Sequence, residues 1–81
     1  MLAILLLAVQ LQTGEAFIAQ ARWAEAAPVF EEAVKAEPDN AAAWAGLGLV
    51  RFNQGRIDDA SAAYEKAAAL DPTSARAMVG V

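Results

Sequence analysis

Apolar and polar positions along this chain follow helical spacing throughout. The segment Ala41 to Phe52 is apolar almost all the way round, with Arg51 its only charge, and helical composition runs to Asn53. A helix of that kind must be covered on more than one side. From Asp58 to Leu70, Ala60, Ala63, Tyr64 and Ala67 recur at three- and four-residue spacing, which puts them on one stripe of a second helix. Small residues on such a stripe let the two helices approach closely, while Tyr64 and Trp44 supply large surfaces to bury. Gln54, Gly55 and Arg56 separate the segments, and Gly55 suits the left-handed conformation that ends a helix. A helical hairpin is predicted. Upstream, one helix is predicted over Ala3 to Gln20, starting within the aliphatic run Met1 to Val9. The next begins near Trp23 or Ala24, because Pro28 lacks a backbone donor and is tolerated only close to a helix start. A small irregularity is expected at that proline.

The pattern repeats. At an offset of 34, Gly14 lies over Gly48, Gln20 over Gln54, Arg22 over Arg56, Ala26 over Ala60, Glu31 over Glu65, Ala33 over Ala67 and Pro38 over Pro72. Between these anchors Phe30 matches Tyr64, Trp23 matches Ile57 and Ile18 matches Phe52, so the substitutions keep their physics. Glu37-Pro38-Asp39-Asn40 and Asp71-Pro72-Thr73-Ser74 each stop one helix with a proline and offer capping side chains to the next. One mismatch matters for geometry. Ala21 stands where the second copy has Gly55, and an alanine in the left-handed region costs roughly 1 kcal/mol, so a differently shaped first turn is expected. Gly14 and Gly48 are expected where a neighbouring helix backbone comes close.

Trp44, Leu47 and Gly48, followed by Ala60, Tyr64 and Pro72, resemble the signature of the tetratricopeptide repeat, whose period is 34 residues. The first copy keeps Gly14, Ala26, Phe30 and Pro38 but has Gln10 and Thr13 in place of Trp44 and Leu47. The resemblance implies an all-α, tetratricopeptide-like α-solenoid of antiparallel helical hairpins, with two full repeats and the start of a third. Residues 1–6 are then an apolar extension of the first helix, 7–40 the first repeat, 41–74 the second, and 75–81 the opening of a third, where Met78 falls in register with Trp44. Arrays of this kind need about three repeats and a sealing end helix. More chain, or self-association through open repeat ends, is therefore expected.

Composition narrows the function. The chain has 81 residues, ten acidic and six basic, for a net charge of −4, which repels a phosphate backbone and argues against a nucleic-acid partner. It has no cysteine and no histidine, which removes the commonest metal ligands and the usual general base. Glu31 with Glu32 and Asp58 with Asp59 are tight acidic pairs, but adjacent helical residues point about 100° apart and do not converge. Asp58 and Asp59 instead suit the positive end of a helix. Ser61, Ser74, Thr13 and Thr73 have no base to activate them, and Gly46 and Gly48 lie in a helical pattern, where a phosphate loop would follow a strand. An enzyme is not expected, nor a cofactor or metal. The 58% hydrophobic content is largely alanine, and no stretch reaches the ~20 apolar residues that span a bilayer. Met1 to Val9 has the apolar character of a secretory signal but no basic lead and no evident cleavage site. The expected compartment is the cytoplasm, with secretion or the periplasm the alternative if that run acts as a signal.

In the resembled family the first helix of each hairpin lines a concave groove. That implies a peptide-binding surface of Leu11, Glu15, Ile18, Ala19, Ala45, Leu49, Phe52 and Asn53, with Arg76 from the third copy. A groove that clamps a terminal carboxylate would need cationic and amide side chains at Leu11, Glu15, Gly46, Arg76 and Gly80, where only Arg76 fits. The asparagine ladder of sugar-transferase relatives would need asparagine at Gln12 and Gly46. What remains is an apolar floor with Glu15 at its side, suited to an amphipathic helix or an apolar extended segment of a protein partner. The alternatives are an internal segment of a longer solenoid or self-assembling repeat with no groove ligand, and a secreted or membrane-tethered assembly factor.

Overall fold

The computed structural model describes the backbone of residues 2–72 and the side chains of residues 11–72. Four helices follow in order: α1 (Leu2–Ala19), α2 (Trp23–Ala36), α3 (Ala41–Asn53) and α4 (Ile57–Leu70). The predicted third-copy helix, with Arg76 and Met78, lies outside the described residues. Packing is between consecutive helices, α1 with α2, α2 with α3 and α3 with α4, with a lighter contact between α1 and α3. Helix α3 therefore sits in the middle of the array, which is why its sequence is apolar on nearly every side. Helix α2 starts at Trp23, as expected, and runs through Pro28, its sixth residue, where it forgoes the hydrogen bond that a backbone N–H there would donate.

The two hairpin turns are copies of each other. In the first, the Gln20 N–H donates to the Ala16 carbonyl (3.2 Å) and the Arg22 N–H to that of Phe17 (2.8 Å). In the second, Gln54 donates to Val50 (3.0 Å) and Arg56 to Arg51 (2.9 Å). Gly55 takes φ +80°, and Ala21 takes φ +57°. The expectation of a differently shaped first turn is thus corrected: the packing of α1 on α2 imposes the left-handed residue whether or not the side chain favours it. Arg22, stacked 5.4 Å above the Phe17 ring, adds a side-chain tie across this turn. Ala21→Gly should therefore stabilise the fold by roughly 0.5–1 kcal/mol, the relief of αL strain less the added freedom of the unfolded chain. A urea titration with unchanged slope would register it as a higher midpoint, and no gain would mean the alanine is unstrained.

The link between hairpins is held by capping. The Asn40 side-chain oxygen accepts from the Ala43 N–H (3.2 Å) at the start of α3. The Trp44 indole N–H donates to the Pro38 carbonyl (2.7 Å), fixing the ring over the proline turn. Across the same junction Arg51 of α3 is ion-paired with Glu31 of α2, its side chain only 13% exposed, and it also donates to the Gln54 side chain (3.1 Å).

Alanines fill the close contacts: Ala26, Ala33, Ala43, Ala60, Ala63 and Ala67 are all buried. Two aromatic rings give the core its bulk, and each lies on a glycine. Phe30, 2% exposed, occupies the space a side chain at Gly14 would need, 2.7 Å from an ideal Cβ there, and presses closer still on Gly46 of the next hairpin. The Tyr64 ring lies 2.8 Å from an ideal Cβ at Gly48. The expectation that Gly14 and Gly48 admit a neighbouring backbone is corrected accordingly. They admit an aromatic ring from the partner helix, and the substitution Phe30 to Tyr64 preserves the arrangement between repeats.

Partial burial raises the Tyr64 phenol pKa above its ordinary value of 10.0, because desolvation disfavours the phenolate. With the folded pKa above the unfolded one, the associated stability is complete below pH 10 and is lost as pH rises through the folded value. Stability should fall more steeply above pH 10 in the natural chain than in Tyr64→Phe. Chemical denaturation at pH 9 and pH 11 measures the difference, and identical slopes would assign the decline to lysines.

Candidate functional site

Helices α1 and α3 leave a cleft of about 410 Å³ between them, lined by Glu15, Ile18, Ala42, Ala45, Gly46 and Leu49, with Phe30 beneath. Ala42, Ala45, Gly46 and Leu49 are spaced three, four and seven residues apart, so they form one stripe of α3. The cleft exists because Gly46 has no side chain and Ala42 and Ala45 have short ones, while Ile18 and Leu49 are large. Ala45 is 1% exposed and packs with Ala67 and Trp44, which makes it floor; Ile18 and Leu49, both half-buried, offer the accessible apolar surface. Glu15 is exposed and is the one ionisable group among the described residues that line the cleft.

Of the residues expected at the groove, the structure brings together Glu15, Ile18, Ala45 and Leu49. It places the others differently. Leu11 is half-buried against the core alanines of α2 and α3, one turn before the cleft begins, so packing already uses its side chain. Ala19 is exposed and does not line the cleft. Phe52 is 55% exposed and continues the α3 stripe beyond Leu49. Its repeat counterpart Ile18 packs on the core, because α3 covers the first hairpin, whereas among the described residues no helix covers the second. Asn53 is exposed, and its side-chain amide donates to the Leu49 carbonyl (2.8 Å), turning it onto its own helix end. Arg76 lies outside the described residues. Ala42 and Gly46 were not among the expected residues, yet both sit at helical spacing from Leu49. That spacing was the signal available; a floor made of absent side chains is easily passed over in favour of large apolar residues.

The opposite face of α3 carries a second cleft, of about 580 Å³, where Trp44, Leu47 and Arg51 face Arg56, Asp59, Ala63 and Lys66. Here the ionic groups largely answer one another: Arg56 pairs with Asp59 at 2.7 Å and Arg51 with Glu31. Of the acidic pairs noted in the sequence, Glu31 and Glu32 are divided between Arg51 and Lys35, the latter at 3.8 Å, and Asp59 of the second pair meets Arg56. Among the described residues no three acidic, histidine or cysteine side chains are grouped to hold a metal ion, and no helix is long and apolar enough to cross a membrane.

Two hairpins joined by identical turns, each seating an aromatic ring on a glycine and stacked so that the first helices share a cleft, define a helical-repeat array, a class whose function lies in its surface. The family model of the tetratricopeptide repeat matches residues 11–75, most of the chain, and the chain belongs to that family. Its class of function is accordingly protein–protein interaction. Among curated relatives, the peroxisomal targeting signal receptor of Saccharomyces cerevisiae is 41% identical over 58 residues, covering 72% of this chain and 10% of the receptor. The receptor of Kluyveromyces lactis is 36% identical over 61 residues, 75% of this chain and 11% of the receptor. A probable UDP-N-acetylglucosamine–peptide N-acetylglucosaminyltransferase SPINDLY of Solanum lycopersicum is 41% identical over 44 residues, 54% of this chain and 5% of that protein. The chain thus spans about a tenth or less of the length of these relatives.

Proposed function

We propose that the chain is a protein-interaction scaffold whose α1–α3 cleft receives an apolar or amphipathic segment of a partner protein. The observation that carries this reading is the cleft itself: an open trough with an alanine and glycine floor, flanked by Ile18 and Leu49 and extended by the exposed ring of Phe52. An apolar side chain lowered onto that floor gains about 25 cal/mol for each Å² removed from water, and few polar groups there lose hydration in return. The likeness to receptors named for a targeting signal supports a repeat surface that receives a segment of another chain. Glu15, Ile18, Ala45 and Leu49 form the contact surface, with Phe52 and Asn53 its continuation at one end and Leu11 one turn beyond it at the other.

A neutral synthetic helix of leucine, alanine and glutamine, amphipathic by design, is a suitable probe. Titrated into isotopically labelled chain, it should shift the methyl resonances of Ile18, Ala42 and Leu49 and leave Ala62, in the opposite cleft, unmoved. Shifts confined to the opposite cleft, or none at all, would sink the assignment. Sedimentation of the free chain against concentration separates this reading from self-assembly, which would raise the mass without any probe.

A further inference from the structure

We infer that the segment this cleft accepts is cationic as well as apolar, and that Glu15 selects it by pairing with a lysine or arginine placed about one helical turn from the side chain that enters between Ile18 and Leu49. The inference rests on the cleft reading above and adds the charge of the partner. Seven residues line the cleft, and Glu15 alone among them is ionisable. Some carboxylates of the described residues have local cations: Glu25 has Arg22 at 2.6 Å, Glu31 has Arg51, and Asp59 has Arg56 at 2.7 Å; Glu15 is the carboxylate that stands at the cleft. No hydrogen bond or ion pair from the described residues reaches Glu15. Among the described residues, Arg51, Arg56 and Lys66 line the opposite cleft and no cation lines this one. Among the described residues the groove therefore presents an apolar floor with one negative charge at its side, inside a chain of net charge −4. An acidic segment or a free terminal carboxylate would meet like charge there, with no cation among the described lining residues to offset it. A basic amphipathic segment would satisfy floor and wall together.

The test uses the full chain and three synthetic helices of one design: the neutral leucine, alanine and glutamine probe, a twin with lysine at the glutamine positions, and a twin with glutamate there. At low ionic strength the lysine twin should bind roughly three- to tenfold more tightly than the glutamate twin, the span expected for a solvent-accessible pair against a like-charge contact. The difference should shrink in ~0.5 M salt as the pair is screened. Glu15→Lys should invert the preference between the twins. Glu32→Lys makes the same change in net charge from an exposed position on α2 that does not line the cleft, and should leave the preference in place. If the two variants shift the preference equally, net charge sets it and Glu15 does not. Equal binding of the twins to the natural chain overturns the inference while leaving the cleft reading intact, provided the neutral probe still binds. Should no probe shift the cleft resonances, both fail together.

Discussion

Phe30→Ala should destabilise the array by about 3–5 kcal/mol, the range for removing a large buried aromatic side chain. For a chain of 81 residues that is a large share of the net stability, ~4–12 kcal/mol at 0.05–0.15 kcal/mol per residue. The size of the effect follows from the ring's position. It is 2% exposed and touches Gly14 in its own hairpin and Gly46 in the next, so one side chain supplies the bulk for two helix interfaces. Its removal leaves a void walled by two glycines, which have no side chains with which to fill it. Thermal unfolding followed by circular dichroism would show a large fall in the midpoint. A loss below 1 kcal/mol would mean the helices collapse onto the vacated space, and that the glycines do not hold them to a fixed spacing.

Leu49→Asp should weaken binding of the neutral probe helix by at least 30-fold, about 2 kcal/mol, while leaving helicity nearly unchanged. Leu49 is half-buried on the cleft wall, so the substitution removes apolar contact and places a carboxylate where an apolar side chain must come to rest. In the free chain that carboxylate still reaches water, which is why the fold tolerates it. Phe52→Asp provides the companion variant: the ring is 55% exposed, so folding depends on it still less, and its effect on affinity should be smaller. Fluorescence anisotropy with the labelled probe measures both. Loss of helicity parallel to the loss of binding would assign Leu49 to the core and remove it from the contact surface.

Much of this organisation was legible in the residues. The helical spacing, the 34-residue offset and the periodic acidic-proline stops state a hairpin repeat, because each depends on local chemistry: which residues tolerate a helix, end it or cap it. Asn40 caps α3 and Gly55 turns left-handed, as such local rules require. Glu15, Ile18 and Leu49 were legible as a surface because apolar positions left over from the hairpin stripe need some cover, and because the resembled repeat places them on its concave side.

Other features depended on distances between segments remote in sequence. Composition alone makes Ala21 a poor left-handed residue, yet the packing of α1 on α2 closes the turn at φ +57°, since the packing of a whole hairpin outweighs a strain of order 1 kcal/mol. Leu11 and Ile18 sit two helical turns apart and look alike in sequence, but α3 passes over them differently, packing the first against Ala33 and Ala43 and leaving the second at the cleft edge. Gly46 reads as a weak point in an apolar helix; only the approach of Phe30 from the preceding hairpin explains it and, with it, the depth of the cleft. The sequence by itself determined the helices, their period and the family. Tertiary structure decided which apolar residues remain for a partner, because exposure is set by what the neighbouring helix covers.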